Sequence, residues 1–370
     1  MPARRTLAYS LAVALILFVS IPKLRAQASP STSAPPPDLY TLHVYANLAQ
    51  VPTLVINPDG KPFPQLTRDQ FFVSLDGGAL FHPSQLRIEG DDAISLAIIV
   101  DDSGTQTHFI TNIAETLSKL VPKDLHPKDH VSIYAIDCKA IQSVNDAPAS
   151  PDVIRDGVTS ALNAETLHGD KHKPSCAKSL HLWDVLAHTV DKLGETPSRR
   201  VVLFVSLGMD TGSTISFDDV ALLAQTNSTA VFGMRDIEEY AFQRSFRDET
   251  SSGLNGDRSH THVSDRLGRL AALTGGMVFD DQHFQIEEQL HRFIAMLRGR
   301  YIVEFPRPDN GIPGSHVIAI SIPSKWNYFV RWTGASMPLA DPSVFSDPNT
   351  VPSAPSPATF GNQRPPQPKH

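Results

Sequence analysis

From residue 92 to residue 297 two apolar patterns alternate along the chain, and their alternation restricts the fold more than any other feature. Unbroken apolar runs occur at AISLAIIVDD (93–102), HVSIYAID (130–137), RVVLFVSLG (200–208) and TAVFGM (229–234), with a shorter one at MVFD (277–280). Between them lie segments with helical spacing: 107–121, 152–162, 179–194, 216–227, 263–276 and 284–297. Strands apolar on both faces need cover on both faces, so the pattern predicts an α/β architecture with a mostly parallel sheet between two helical layers. Right-handed crossovers then place the binding crevice at the carboxyl ends of the strands.

Both flanks read differently. Residues 39–57 (LYTLHVYANLAQVPTLVIN) and FFVSL at 71–75 read as strands, broken by an NPDG turn at 57–60. Thr67 and Gln70 have capping-box spacing, and Asp76-Gly77 reads as a hairpin turn. After residue 298 the strand pattern returns at 299–308, 315–323 and 326–333. The 39–90 segment is too short for a secure core of its own, so its strands are expected to join those of 298–333 in a small antiparallel β-sandwich. Many of the 30 prolines cluster at the two ends. Residues 27–38 read as a Pro/Ser linker, and residues 334–370 as a Pro-rich disordered tail.

The N-terminus has the form of an export signal, assigned to residues 1–26. Arg4 and Arg5 precede the apolar stretch TLAYSLAVALILFVSI (6–21), and small residues Ala26 and Ala28 follow Pro22. The stretch is short for a full span, so cleavage is favoured over retention as an anchor. The expected location is exported: periplasmic, in the cell envelope or secreted. Contact with a membrane is expected only through this segment if it is retained. A net charge of −7 and a pI near 6.1 lack the basic footprint of a nucleic-acid binder. In an oxidising compartment the two cysteines, Cys138 and Cys176, are expected to form one disulfide; two separate thiols are the alternative.

The first buried run ends in VDDSGT. Asp101, Ser103 and Thr105 stand at i, i+2 and i+4, so in extended chain one carboxylate and two hydroxyls converge. Such hard oxygen donors suit Mg²⁺ or Mn²⁺. Ser and Thr ahead of a helix are also ordinary caps. The stretch resembles the DxSx[ST] signature of von Willebrand factor type A domains, which carry the metal-ion-dependent adhesion site. Further matches follow in order: KDHVSIYAID, LHLWDVL, RRVVLFVSLGMDTGS and LAALTGGMVFD. With DGKPFPQLTRDQFFVSLDGG before and LRGRYIVEFPRP after, the chain is similar to the acidobacterial-type von Willebrand A-related family over about residues 40–333.

That resemblance implies a Rossmann-like sheet (92–297) with a five-donor site at its top and a partner carboxylate completing the ion's shell. Asp101, Ser103 and Thr105 match three donors. The threonine of the second loop falls on Leu180, with Ser179 beside it. The aspartate after the central strand falls on Leu207, with Asp210 as a displaced substitute. The expectation is a non-enzymatic protein-binding module with a degenerate site, its Mg²⁺ or Mn²⁺ weakly held or lost. The partner would meet a face including Asp102, Ser179 and Asp210. A structural or assembly role in the envelope, with a vestigial site, is the alternative. A Cys138–Cys176 bridge would pin the second loop.

The same stretch also resembles the first motif of haloacid-dehalogenase-type phosphatases, with Asp101 as nucleophile, Ser206 as second motif and Asp280-Asp281 as metal carboxylates. Against this, Ser103 replaces the general acid/base, and no well-placed lysine lies between Ser206 and Asp280. No G-x-S-x-G, P-loop or HExxH pattern is present. His168, His172, His260 and His262 read as solvated loop histidines, since no companion ligands accompany them. Asp184 with Trp183 is expected to anchor its helix to the sheet. Residues 235–262 read as a long loop, either a binding insert at the site rim or an unstructured excursion.

Overall fold

The computed structural model describes residues 43–45, 48–63, 65–103, 107–136, 139–164, 180–252, 265–281, 285–308, 314–322, 328–334, 336–337, 350–352 and 358–363. The export segment and the Pro/Ser linker lie outside them, as do Thr105, Cys138, Cys176, Ser179, His168, His172, His260 and His262.

In chain order the elements are β1 (His43–Tyr45), β2 (Leu48–Ile56), a 3₁₀ turn (Arg68–Gln70), β3 (Phe72–Leu75), β4 (Gln85–Ile88) and β5 (Ile94–Asp101). Then come α1 (Thr107–Ile110), α2 (Ile113–Ser118), β6 (His130–Ile136), β7 (Ala140–Pro148), α3 (Pro151–Asn163), α4 (Leu182–Gly194) and β8 (Arg199–Val205). Next are α5 (Phe217–Thr226), β9 (Ala230–Asp236), α6 (Ile237–Ser252), α7 (Arg266–Leu273), β10 (Val278–Asp281) and α8 (Ile286–Arg298). Last are β11 (Tyr301–Pro306), β12 (Gly314–Ser315), β13 (Ile318–Ser321), β14 (Phe329–Trp332), β15 (Ser336–Met337) and β16 (Thr350–Pro352).

Six strands form the central sheet in the order β10-β9-β8-β5-β6-β7. All its pairings are parallel except the antiparallel edge strand β7. Every residue of β5 is buried, and its alternation divides the helices between two faces. Leu96, Ile98 and Val100 pack in one core with residues of α2, α3 and α8. Ala97 and Ile99 pack in the other with residues of α4, α5 and α7. This is the α/β architecture that the alternating pattern predicts.

The flanking strands form a second assembly. A four-stranded antiparallel sheet, β14-β2-β11-β4, draws on both ends of the chain. Val51, Val55, Val303 and Phe305 from this sheet share a core with Val73, Leu75, Ile318 and Ile320 of the β3–β13 pair. The opposite face of β2 carries Leu54 and Ile56 into the core beside α8, so one strand serves two cores. At Thr67 the main-chain N–H donates to the Gln70 side chain at 2.7 Å, and Asp76 and Gly77 turn the chain at positive φ of 50° and 70°.

Three expectations are corrected. The 107–121 helix is broken into α1 and α2 at Thr111-Asn112, residues whose short polar side chains compete for backbone hydrogen bonds. The 235–262 stretch is not a plain loop, because α6 leads directly out of β9. Its polar composition hid a start signal: Asp236 accepts the N–H groups of Glu238 (2.9 Å) and Glu239 (3.2 Å). The 334–370 tail is not structureless throughout. β15 pairs with β12, β16 pairs with β1, and Phe360 bridges to Leu75 and stacks on His316 with centroids 4.2 Å apart. Ala358 and Phe360 supply the apolar contacts that the tail's proline content obscured.

Candidate functional site

Asp101 is the last residue of β5, and its neighbour β8 ends one position before Ser206. The parallel register brings the two side chains together at the carboxyl end of the sheet. The Ser206 hydroxyl donates to Asp101 Oδ2 at 2.7 Å, and the Ser103 N–H donates to Asp101 Oδ1 at 3.1 Å. Asp101, Ser103 and Ser206 are 1%, 4% and 0% exposed. A charge this buried needs such partners. The Asp102 N–H donates to Ile136 O at 2.7 Å, which ties the loop to β6.

Beyond Ser206 the chain leaves the sheet at Gly208. Its φ of +75° suits glycine, and an added Cβ would lie 2.6 Å from Leu267 Cβ. The Gly208 N–H donates to Ser206 Oγ at 3.0 Å, so this hydroxyl is held from both sides. Leu207 and Leu180, at the positions where the resemblance implies oxygen donors, are 1% and 2% exposed. Leu180 belongs to the core that also holds Ile136, Leu182 and Trp183. Its carbonyl accepts the N–H groups of Thr211 and Gly212, and its own N–H donates to Thr211 Oγ1 at 2.9 Å.

Asp210 is committed to another task. Its Oδ1 accepts the N–H of Leu182 at 2.9 Å and the Ser213 hydroxyl at 2.5 Å, and Ser213 Oγ accepts the Trp183 N–H at 2.9 Å. The loop after β8 thus caps α4, whose own preceding residue His181 provides no side-chain cap. Such a cap contributes about 1 kcal/mol. Asp184 returns the contact by accepting the N–H groups of Thr214 (2.9 Å) and Ile215 (2.8 Å). Burial opposes its ionisation, but the Ile215 and Thr214 donors outweigh burial and hold the carboxyl below the ordinary carboxylate range. Asp184 therefore ties α4 to the loop after β8, where the expectation had it anchoring the helix to the sheet.

The described residues supply only part of the expected donor set, since Thr105 lies outside them. The described residues bring together one carboxylate and the hydroxyl-bearing Ser103 and Ser206, two expected donors are buried leucines, and Asp210 caps a helix. Mg²⁺ prefers a near-octahedral oxygen shell, and the described residues by themselves do not complete one. Among the described residues no group of three or more His, Cys, Asp or Glu side chains is placed to hold a metal ion. Ser206 is the partner that the adhesion-site reading missed. Its signal was the serine directly after the central buried strand, which that reading passed over in favour of Leu207.

The phosphatase constellation does not assemble. Asp280 and Asp281 lie on β10, three strand spacings from β5, or about 14 Å across the sheet. Asp280 Oδ1 instead accepts Arg235 Nε at 2.6 Å. Arg235, at the end of β9, also makes a two-pronged contact with Asp265 (2.9 Å each) and lies over the Tyr240 ring, 3.6 Å from its centroid. No helix among the described residues is long and apolar enough to cross a membrane.

No family model matches the sequence, and no curated protein matches it. Solved structures do resemble it. Proximal thread matrix protein 1 from the mussel byssus, with a zinc-occupied MIDAS motif, gives a TM-score of 0.41 at 11% identity over 60% of this chain and 50% of that one. An aerotolerance-related membrane protein from Bacteroides fragilis gives 0.35 at 12% identity over 55% and 98%. The manganese-loaded TRAP protein of Plasmodium vivax gives 0.32 at 11% identity over 70% and 98%. The chain spans about half the length of the mussel protein it matches. These likenesses concern the fold at low identity, and the site is read from its own residues. What the structure itself shows is an α/β unit, a mostly parallel six-stranded sheet between two helical layers.

Proposed function

We propose that this chain is an exported, non-enzymatic protein-binding module whose adhesion-type ion site has degenerated. The observation that carries the reading is the pair Leu180 and Leu207, both buried where an ion-binding relative of the resembled family needs oxygen. The binding surface is the top of the sheet around Asp101, Asp102, Ser103 and Asp210, and the reading also assigns it Thr105 and Ser179, which lie outside the described residues. Mg²⁺ or Mn²⁺ is bound weakly there or not at all, and the partner protein is recognised without an ion bridge. The reading takes residues 1–26 as an export signal and so assigns the module to the periplasm, the envelope or the outside of the cell. A Cys138–Cys176 bridge stiffening the second loop belongs to the same reading, and intact mass before and after reduction and alkylation tests it.

One observation favours a second reading, a structural or assembly component of the envelope: the top-face carboxylates Asp101 and Asp210 are engaged inside the protein. Pull-down with wild type and with an Asp101→Ala/Ser103→Ala variant separates the two. Loss of a specific partner in the variant supports top-face binding, and equal recovery supports the structural role. Titration calorimetry tests the degenerate site: micromolar Mg²⁺ or Mn²⁺ affinity that Asp101→Ala abolishes contradicts it.

A further inference from the structure

At the opposite end of the sheet a cavity of about 270 Å³ lies between β2 and the start of β8. Gln50 and Pro197 line it together with four arginines: Arg199, Arg200, Arg300 and Arg307. Arg300 and Arg199 meet carboxylates among the described residues. Arg300 makes a two-pronged contact with Glu89 through bonds of 2.7 and 2.8 Å, with both side chains almost completely buried. Arg199 donates to Gln50 Oε1 at 2.9 Å and lies 3.4 Å from Asp92, which is closer to Arg87 at 2.7 Å.

Arg200 has no carboxylate partner among the described residues. Its Nε and Nη2 donate to Thr196 O at 3.1 and 2.9 Å, and its Nη1 donates to Asn227 O at 2.7 Å. A guanidinium has five N–H groups, so one on each terminal nitrogen remains. Burial pulls its pKa below the ordinary arginine value, as expected of a cation desolvated without a counter-charge. The group stays charged even so.

We propose that this cavity binds a small polyvalent oxyanion, a phosphate- or carboxylate-bearing molecule, through Arg199 and Arg200. The paired N–H groups of a guanidinium match two oxygens of such an anion. The anion supplies the counter-charge that Arg200 lacks. The cavity is at the small end for ligand sites, which favours a compact anion over a peptide. Gln50 belongs to the sandwich and Arg199 to the central sheet, so the ligand would tie the two assemblies together. Six residue steps along β8 separate Arg200 from Ser206, or about 20 Å, so the site is independent of the Asp101 loop.

The test is thermal unfolding and calorimetry of the exported chain in inorganic phosphate or citrate against chloride at matched ionic strength, which removes general screening. Wild type is expected to show a saturable rise in Tm with at least one of the two oxyanions. A response confined to phosphate assigns a phosphate ligand, and one confined to citrate assigns a polycarboxylate. Arg200→Gln and Arg200→Lys are each expected to weaken the response at least tenfold, the lysine because it keeps the charge but loses the fork. Arg199→Gln is the second readout should Arg200 variants fail to fold, since Arg200 also holds two carbonyls. Arg269→Gln, on the exposed side of α7, should respond as wild type does. No shift beyond chloride, or equal responses in wild type, Arg199→Gln and the folded Arg200 variants, overturns the proposal.

Discussion

Arg235 and Arg200 stand at opposite ends of neighbouring parallel strands, β9 and β8, and the protein treats them in opposite ways. For Arg235, burial works against the charge, but hydrogen bonds to Asp265 and Asp280 outweigh it and raise the pKa. For Arg200, burial acts with no carboxylate to oppose it and the pKa falls. Arg235 at the top therefore has its charge balanced inside the protein, whereas Arg200 at the bottom, beside the closed Glu89–Arg300 pair, does not. Internal partners also engage Asp101, through Ser206, and Asp210, through the start of α4. The bottom retains donors for something the chain does not carry.

The largest effect is expected from forcing the bottom into a worse imbalance. Glu89→Ala leaves Arg300 buried without its partner, and about 3–5 kcal/mol of stability should be lost in urea denaturation. A loss below 1 kcal/mol shows that the pair is not the closed unit its burial indicates. Next is Leu207→Asp, which places a second carboxylate in the buried top near Asp101 and Ser206. It should cost about 3 kcal/mol in the absence of metal. If the two leucines are what degraded the site, millimolar Mn²⁺ should restore part of the lost Tm in this variant and not in wild type. A variant that ignores Mn²⁺ removes Leu207 from that explanation.

The direct comparison comes third. Arg235→Gln should cost about 2 kcal/mol, because two carboxylates, both partly in water, lose a charged donor. Arg200→Gln should cost about 1 kcal/mol, because only carbonyls lose a donor. Reversal of that order breaks the contrast between the two ends. The smallest effect concerns acid. Burial raises the pKa of Asp265, but Arg235 and the Gly268 N–H outweigh burial and hold it below the ordinary value of 3.8. A carboxyl depressed in the folded state stabilises above its unfolded pKa and loses that contribution as pH falls through the folded value. The urea midpoint should therefore be flat with respect to this group from pH 7 to 5. Below about pH 4 it should fall less steeply in Asp265→Asn than in wild type.

Much of this was legible along the chain. The strands of the central sheet follow from runs such as AISLAIIV, whose length and bounding turns exclude a helix. Asp101 could be placed at a functional end of the sheet because a buried run stops there. That Leu180 and Leu207 stand where the resembled family has oxygen could be read only through that resemblance. α6 was missed because its helix signal is the cap Asp236, not an apolar stripe. The docked tail was missed because Ala358 and Phe360 are two apolar residues among prolines.

The sequence by itself determined the alternation of buried strands and helices, the carboxylate at the end of β5, and the apolar character of positions 180 and 207. Those properties depend on neighbours within a few residues, and periodicity reports them. Only the tertiary structure decided that Asp101 is held by Ser206, that Asp210 caps α4, that Phe360 returns to β3, and that Arg200 lacks the counter-charge Arg235 has. Hydrogen bonds and ion pairs form over a few ångströms between groups far apart in the chain. Which groups meet is therefore set by strand register and packing, not by the residues on either side of them.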